Sequence, residues 1–338
     1  MEIHKRNRLQ TLAIVILNYN GVKWFAEFLQ GVIDHSPGSS VYVIDNASTD
    51  DSVNYLKHAF PSVNIIQNTK NMGYAGGYNE GLKYVSEDIY CLLNSDVEVT
   101  ENWISPILSL FEKDADIAAI QPKILSHKDK KKFEFAGAGG GFIDNLGYPF
   151  CRGRIFFSLE EDQNQYNDTC EIFWATGACL FIRKEDFHVQ GGFDSKFFAH
   201  MEEIDLCWRL KNAGKKIYYC GQSTVYHVGG GTLDTHDPHK TYLNFRNNLL
   251  MLIKNLPSDK LAGVILFRLI LDGLAGIDFI FSGGWKYCRA VIRAHFSVYR
   301  LLPEYLKKRK AGTRNYFDKK YIVFQYFLKK RIKYTDLH

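Results

Sequence analysis

The chain has 338 residues, 46% hydrophobic and 23% charged, which excludes general disorder and accommodates one large domain with an appendage or two domains. Residues 305–338 contain eleven Lys or Arg residues against two Asp residues, a balance of +9 that leaves −4 for residues 1–304; such a basic segment suits an anionic membrane or a nucleic acid. The seven cysteines form no Cys-x-x-Cys pair and one is unmatched, which predicts reduced thiols in a cytosolic compartment and argues against disulfides or a zinc–cysteine site.

The first predicted element is a buried strand over residues 13–17. Basic residues before it mimic a short signal peptide, but the apolar core has only about six residues and no small-residue cleavage site follows. Further strands are predicted at residues 41–44, 63–66 and 89–93, with helices over residues 24–33, 53–56 and 78–85 between them. This βαβ succession indicates a largely parallel sheet.

The second part of the chain is less regular. A helix is predicted over residues 103–111, strands at 117–120 and 172–182, a helix at 202–212, and short strands at 216–220 and 225–227. Residues 137–167 are Gly-rich with poor periodicity, which predicts a long loop able to cover a site. From Pro238 onward the pattern is helical.

Polar residues follow the carboxyl end of each strand predicted in the first hundred residues. They are Asn18, Asn20, Asp45, Asn71 with Gly73, and Asn94 with Asp96. In open α/β sheets ligands bind at this edge. The first turn lacks the G-x-G-x-x-G pattern of a dinucleotide site, which favours another nucleotide.

Asp45 ends the second predicted strand. A carboxylate there can accept a hydrogen bond from the N3–H of uracil or thymine, which cytosine lacks. The alternative is an Asp that forms an Asx-turn with its own backbone.

Asp96, Asn94 and His227 are candidate metal ligands. Asp96 and Asn94 follow the apolar run at 89–93, where oxygen ligands can hold Mg²⁺ or Mn²⁺ bridging a substrate diphosphate, although Asn-Ser-Asp is also ordinary turn composition. His227 precedes three glycines, whose backbone can approach phosphate closely, and the alternative is a structural His. A His that joins a carboxylate suits Mn²⁺ better than Mg²⁺.

The predicted helix at 202–212 begins with several acids. Glu202, Asp205 and Arg209 share one stripe, on which Asp205 can pair with Arg209. Glu203 is rotated by about 100° and has no basic residue at i+4. The helix N-terminus favours an ionised carboxylate, the state that a general base needs, and the alternative is an ordinary acid at a helix start.

Eight motifs occur in an order that is recognisable as a whole. They are residues 15–21, 43–50, 71–81, 93–96, 176–178, 192–194 and 202–209, and His227. With them the chain resembles family 2 glycosyltransferases of the GT-A fold, and is most similar to the bacterial rhamnosyltransferase-like branch, over about residues 10–255. The resemblance implies an α/β, Rossmann-like catalytic domain at 1–255, with a largely parallel sheet flanked by helices, and a helical, membrane-associating region at 256–338.

The same resemblance implies roles for the candidate residues. Asp45 would contact the pyrimidine, Asn71 and Gly73 would line the nucleoside, Asp96 and His227 would hold the metal, Glu203 would deprotonate the acceptor hydroxyl, and Trp174 would stack on a sugar near the acceptor, beside Glu202 and Asp205. Arg152, Arg154 and Arg246 are candidates for phosphate contact.

Two departures from the family pattern are present. Residues 94–96 read Asn-Ser-Asp where many relatives have Asp-x-Asp. The loss of one carboxylate can change how tightly a metal binds and which metal is preferred. Glu202-Glu203 replaces a Glu-Asp pair, which adds one methylene to the base.

The implied activity is an inverting, metal-dependent transfer from a dTDP-rhamnose-like or UDP-sugar donor to a saccharide, on a polyprenyl lipid, in cell-surface polysaccharide or O-antigen synthesis. One alternative is a catalytically impaired sugar-binding or scaffold relative. Another is a nucleotidyltransferase, which should carry a Gly-rich, Arg-containing loop after its first strand. A nucleic-acid-binding role rests on the basic tail alone, which lacks interleaved base-stacking aromatics.

Residues 261–281 look like a membrane span until Arg268, Asp272 and Asp278 are counted. These three fall within about 120° on a helical wheel, which predicts an amphipathic helix lying on lipid or on the catalytic domain. An apolar stripe follows, made of Trp285, Cys288, Ile292, Phe296 and Tyr299 beside Lys286, Arg289, Arg293 and Arg300. With the basic tail it predicts a cytoplasmic protein attached peripherally to the inner face of the membrane through residues 285–333.

Overall fold

A mixed β-sheet forms the centre of the computed structural model, which describes residues 10–229, 237–310, 312–313 and 315–337. The strands are β1 (Leu12–Asn18), β2 (Ser40–Asp45), β3 (Asn64–Gln67), β4 (Ile89–Leu93), β5 (Val97–Val99), β6 (Ile117–Ser126), β7 (Gly141–Ile143), β8 (Pro149–Cys151), β9 (Arg154–Ile155), β10 (Ser158–Leu159), β11 (Thr169–Ile172), β12 (Cys179–Arg183) and β13 (Lys216–His227). The central sheet has the order β11-β13-β6-β12-β4-β1-β2-β3, and β5 pairs with β13.

The predicted βαβ succession is confirmed in the first half of this sheet. β1 pairs in parallel with β2 and β4, and β2 with β3. β12 lies antiparallel between β4 and β6, so the sheet is mixed. Because β1, β2, β3 and β4 run in the same direction, the residues that follow them meet at one edge.

Helices cover both faces of the central sheet. They are α1 (Val22–Trp24), which continues through a π-helical turn (Phe25–Leu29) into α2 (Gln30–Asp34), α3 (Ser52–Ala59), α4 (Gly73–Gly81), α5 (Ser105–Lys113), α6 (Lys184–Val189), α7 (Glu202–Asn212), α8 (Pro238–Asn255), α9 (Ser258–Ser282), α10 (Trp285–Lys307) and α11 (Ile322–Phe327). Ala13 and Val15 share a core with α4, α7 and α8, whereas Ile14 and Ile16 share one with α2, α3 and α5. This alternation is the period of two expected of a strand buried on both faces.

The Gly-rich segment at 137–167 is not the predicted long loop. Its strands β7 to β10 form a small antiparallel sheet with the order β10-β9-β8-β7. Each of these strands has only two or three residues, too few to produce a recognisable alternation of apolar and polar residues. The segment therefore packs as part of the fold, so the prediction of a long loop is wrong, and its expected role in covering a site stays a prediction.

Two other strand boundaries differ from the prediction. The single strand predicted over residues 172–182 is instead the end of β11 at Ile172 and most of β12 from Cys179, with residues 173–178 connecting the two strands. Residues 216–227 form a single strand, β13, with a register irregularity between Cys220 and Thr224 in its pairing with β6. An irregularity of this kind interrupts the apolar pattern without ending the strand.

The C-terminal region packs against the rest of the chain. α8 ends at Asn255 and α9 begins at Ser258, so the predicted boundary between residues 255 and 256 falls between two helices. α10 packs along α8. Farther on, the buried Asp144 carboxylate accepts a hydrogen bond from the Ile322 N–H at 3.0 Å, which ties α11 to the small sheet.

A buried ionic cluster joins α7 to α8. The Asp205 side chain is fully buried, and its Oδ2 lies 2.8 Å from Arg209 Nε and 2.9 Å from Lys254 Nζ. Asn255 donates to Asp205 Oδ1 at 2.8 Å. Burial disfavours the charged carboxylate, but Arg209 and Lys254 hold the pKa of Asp205 below its usual value. The predicted Asp205–Arg209 pair is confirmed, and burial of Asp205 excludes direct contact with an acceptor.

Asp205→Ala should lower the free energy of unfolding by about 3–5 kcal/mol, because it leaves the Arg209 and Lys254 cations buried without this counter-ion. Urea denaturation followed by circular dichroism measures the change. Glu80→Ala is the control, since its pair with Lys83 is exposed and should contribute less than about 1 kcal/mol. Equal losses for the two variants would show that the cluster does not hold α7 on α8.

Candidate active site

The loops after β1 and β2 are joined by the polar residues predicted at this edge. Asn18 donates from Nδ2 to Asp45 Oδ1 at 2.9 Å and to Ser48 Oγ at 3.0 Å. Asn20 accepts the Thr49 N–H at 2.7 Å. Asp45 is only 2% exposed, and its Oδ2 accepts the Ser48 N–H at 3.1 Å. The Asp45 carboxylate thus takes part in the turn-forming arrangement given as the alternative, and its contact with a pyrimidine stays a prediction.

Asn46 is a residue at this edge that sequence reasoning missed. Its Nδ2 donates to Asn71 Oδ1 and to the Gly73 carbonyl, both at 3.0 Å, and its Oδ1 accepts from Asn68 Nδ2 at 3.2 Å. Gly73 has φ +70°, and a Cβ there would lie 2.5 Å from the Phe198 carbonyl oxygen. The start of α4 thus lies directly against the segment that precedes α7, and only glycine tolerates both this close approach and the positive φ.

The structure brings Asp96 and His227 together. β13 ends at His227, which pairs with Val97 of β5 immediately after Asp96. Asp96 Oδ1 lies 3.2 Å from His227 Nε2, and Asn94 Nδ2 lies 3.4 Å from the same nitrogen. Both Asp96 and His227 are buried. Of the glycines after His227, Gly229 has φ +72°, whereas residues 230 and 231 lie outside the described part of the chain.

Glu134 is a second missed residue. Its Oε2 lies 3.2 Å from His227 Nδ1, the ring nitrogen that faces away from Asp96, and Glu134 is 8% exposed. Burial lowers the pKa of His227, but the two carboxylates outweigh it and raise that pKa to about 10. A carboxylate beside the ring nitrogen that does not bind the metal commonly orients a metal-ligating His. Glu134 ends a Lys-rich run, which in the sequence is typical of a solvated surface.

Asp96 and His227 fit a divalent metal. Two atoms 3.2 Å apart match neighbouring positions around one ion with ligand distances of about 2.1 Å. A half-turn of the Asn94 side-chain amide presents its oxygen in place of Nδ2. No cluster of three or more His, Cys, Asp or Glu side chains that could hold a metal is present among the described residues. Two protein ligands are typical where substrate phosphates supply the others.

A strained segment leads into α7. Phe198, His200 and Met201 have φ values of 66°, 70° and 73°, in the left-handed region that non-glycine residues rarely adopt. Asn247 of α8 donates from Nδ2 to three backbone carbonyls of residues 197–200, at 2.8 to 3.0 Å. Strain of this kind persists only where the surroundings hold it, and it concentrates at functional sites. α8 therefore fixes the position of the first turn of α7.

Glu202 and Glu203 occupy that first turn. Glu202 is 4% exposed and Glu203 is partly exposed, and Oε2 of each is buried without a hydrogen-bond partner among the described residues. Burial raises the pKa of Glu203 to about 7 and, with the nearby Glu203 charge, raises that of Glu202. Burial, the neighbouring Tyr78 and then the charges of Glu202 and Glu203 raise the pKa of the Tyr74 hydroxyl of α4, which places the pair of acids beside α4.

Two sequence-based expectations for these acids are corrected. The helix N-terminus was expected to keep Glu203 ionised, but burial outweighs its backbone hydrogen bonds. Glu202 was expected to be satisfied by capping and by its stripe, whereas Oε2 is unpartnered in the part of the chain that is described. A carboxylate with a free oxygen and a pKa near neutrality has the properties of a general base.

Trp174 does not have the position predicted for it. The ring is 4% exposed, and its indole N–H donates to the Phe142 carbonyl at 2.9 Å. A Cβ on Gly141 would lie 2.2 Å from the ring, so the small sheet packs directly on it. No face of the indole is free to stack on a sugar, and the expected acceptor contact is wrong for this structure.

The three arginines predicted to contact phosphate are used in packing. Arg152 donates to both Asp168 carboxylate oxygens at 3.0 and 2.9 Å. Arg154 is buried, with its guanidinium 4.4 Å from the Phe135 ring centre. Arg246 donates to the carbonyls of residues 196 and 197 at 2.8 and 3.0 Å, which helps Asn247 to hold the strained segment. These contacts fix the three side chains within the described residues, and their contact with phosphate stays a prediction.

The architecture is similar to that of solved GT-A glycosyltransferases. GalNAc-T7 with UDP, GalNAc and Mn²⁺ superposes with a TM-score of 0.56 and 16% identity, over 75% of this chain and 49% of that one. The mannosyltransferase PcManGT from Pyrobaculum calidifontis with GDP-Man and Mn²⁺ superposes with a TM-score of 0.52 and 10% identity, over 87% and 76%. These likenesses confirm the predicted GT-A fold, and the chain spans about half the length of the first structure.

The model of the family described as Glycosyl transferase family 2 matches residues 13–188, more than half of the chain. The chain belongs to this family, as the resemblance implied. It is 23% identical over 254 residues to the low-salt glycan biosynthesis hexosyltransferase Agl10 of Haloferax volcanii, covering 73% of this chain and 76% of that protein. It is 26% identical over 206 residues to the N-acetylglucosaminyl-diphospho-decaprenol L-rhamnosyltransferase of Mycobacterium tuberculosis, covering 56% and 66%.

Proposed function

We propose that the chain transfers a sugar, with inversion, from a dTDP-rhamnose-like or UDP-sugar donor to a saccharide carried on a polyprenyl lipid, in cell-surface polysaccharide or O-antigen synthesis. The observation that carries the proposal is the Glu203 carboxylate, whose Oε2 has no hydrogen-bond partner among the described residues. The segment that precedes its helix packs on Gly73, at the sheet edge where Asp96 and His227 also lie. The mycobacterial relative is named for rhamnosyl transfer to a decaprenyl-linked sugar, which supports the donor and acceptor classes.

In the proposed reaction Asp96 and His227 would hold Mn²⁺ or Mg²⁺, with the Glu134 carboxylate orienting the imidazole. When bound, the ion would supply positive charge that neutralises the departing diphosphate. Glu203 accepts the proton of the acceptor hydroxyl as that oxygen attacks the anomeric carbon. The buried Glu202 and the partly buried Tyr74 limit the access of water to the base, and water would otherwise hydrolyse an oxocarbenium-like transition state.

The donor base is proposed to lie by Asp45, with Asn71 and Gly73 along the nucleoside. Uracil and thymine present the same N3–H, so both UDP- and dTDP-sugars are expected to bind. The test is nucleotide release from UDP-, dTDP- and GDP-sugars with Mn²⁺ and a polyprenyl-diphosphate-linked saccharide. Release from a UDP- or dTDP-sugar supports the proposal, and release from GDP-sugars alone would contradict the role of Asp45.

The basic C-terminal region is proposed to attach the protein to an anionic membrane through residues 285–333. Trp285, Ile292, Phe296 and Tyr299 are exposed on α10, beside exposed basic residues, whereas Cys288 of the predicted stripe is buried. Among the described residues no helix is long and apolar enough to cross a membrane.

Each basic residue near an anionic surface contributes about 1 kcal/mol. Sedimentation with anionic vesicles in low salt should therefore fall when the Lys and Arg residues of 305–333 are replaced by Gln. Sedimentation that is unaffected by this change would contradict the role of the tail.

A further inference from the structure

α9 turns its apolar side toward solvent. Seven large apolar side chains recur along it at helical spacing and are 40 to 86% exposed: Leu266, Phe267, Ile270, Leu274, Ile277, Ile280 and Phe281. From residue 262 to residue 277, every exposed residue of the described helix is apolar or glycine. We refer to these seven side chains as the α9 stripe.

Two charged residues in the middle of α9 face the protein instead, whereas Asp278 is exposed near the C-terminal end of the stripe. Arg268 and Asp272 are 2% and 1% exposed. Arg268 donates to the Leu146 carbonyl at 3.0 Å and lies over the Tyr148 ring, 3.8 Å from its centre. Asp272 lies 3.3 Å from His295 of α10. A helix on the surface of a soluble protein has the opposite arrangement, with its apolar side on the core.

The size of the α9 stripe indicates a binding surface. Phe281 lies fifteen positions after Leu266, so the stripe is about 22 Å long at a helical rise of 1.5 Å per residue. Contiguous apolar patches of this kind are uncommon on monomeric proteins and mark contacts with proteins or membranes. The inward side of α9 already packs on the protein, so the stripe is the side that remains for a partner.

The surroundings of the stripe select a lipid bilayer as that partner. Trp285, 61% exposed, follows α9 directly, and Lys286 and Arg289 are exposed beside it. Tryptophan and basic residues next to an apolar helix face are typical of helices at the interface of an anionic membrane. Pairing of two copies through the stripe would instead bring two such basic regions together, which like charge opposes.

We infer that α9 lies in the plane of the membrane, with its stripe inserted at the boundary between lipid headgroups and acyl chains. The inference goes beyond the charge-driven attachment proposed for residues 285–333 and does not depend on the donor or on catalysis. Insertion of apolar side chains is insensitive to salt, whereas attraction by basic residues is screened at about 1 M salt, where the Debye length is about 3 Å.

The test compares the intact protein with the triple variant Ile270→Gln, Leu274→Gln, Ile277→Gln in flotation with phosphatidylcholine–phosphatidylglycerol vesicles. A matched control variant, Tyr84→Gln, Phe157→Gln, Val189→Gln, changes three side chains that are 67 to 78% exposed elsewhere. The intact and control proteins should float at about 1 M NaCl, and the α9 variant should partition at least about 100-fold less.

Equal flotation of the α9 variant, or full release of the intact protein at high salt, would overturn the inference. A lipid-independent dimer that the α9 variant abolishes would show that a second copy covers the stripe instead. Circular dichroism verifies that each variant is folded. Nucleotide release with a detergent-solubilised acceptor is measured on the same variants and should be unchanged in all of them. Loss of flotation with normal nucleotide release therefore concerns membrane insertion alone and not the proposed function.

Discussion

Glu203→Gln is expected to lower kcat by about 10²- to 10⁴-fold, the usual contribution of a general base. The glutamine retains the shape of Glu203 and loses only the proton-accepting charge. Donor binding should therefore stay close to that of the unmodified protein. Steady-state rates with donor and acceptor measure the first effect, and calorimetric titration with the nucleotide measures the second.

Glu202→Gln is the matched control for this prediction. Glu202 is 4% exposed and adjacent to Glu203, so its replacement should alter stability or acceptor KM more than kcat. An inactive Glu202 variant beside a nearly unaffected Glu203 variant would mean that the base is assigned one residue too late. Full activity of both variants would place the base elsewhere.

Asp96→Ala is expected to abolish turnover and to weaken nucleotide binding in the presence of Mn²⁺. In the proposed site Asp96 and His227 would hold the ion, and the ion would link the diphosphate to the protein. Electron paramagnetic resonance of added Mn²⁺ measures ion binding independently of activity.

Glu98→Ala is the control for Asp96→Ala, because Glu98 lies two residues later and pairs with Lys130 at 2.7 Å, away from His227. Mn²⁺ binding should be retained in this variant. Full activity of the unmodified protein in EDTA would contradict the metal requirement.

The sequence predicts most of the parallel part of the fold, because five-residue apolar runs such as 89–93 alternate with amphipathic helices. It does not predict the small sheet of β7 to β10, whose strands have two or three residues. For α9 the helical wheel identified an apolar side but not its direction. That direction depends on buried partners of Arg268 and Asp272, such as Leu146 and His295, which are remote in sequence.

The residues of the candidate site were likewise predicted only in part. The proximity of Asp96 and His227 was expected because each ends a strand-like segment in the order typical of the family. Glu134 contacts His227 and Asn247 contacts the segment before α7, and both partners are distant in sequence. No local sequence pattern therefore reveals either residue. Trp174 was misassigned because a buried Trp has the same sequence signature as a ligand-binding one.

The pH dependence of kcat/KM tests the role of Glu203 most directly, because it reports the ionisation of groups in the free enzyme. A base must be ionised to accept a proton, and burial raises the pKa of Glu203 to about 7. We expect kcat/KM to be maximal above this pH and to fall as pH decreases through it, and we expect Glu203→Gln to remove this acidic limb. An acidic limb of the same midpoint in the Glu203→Gln variant would contradict the assignment of Glu203 as the base.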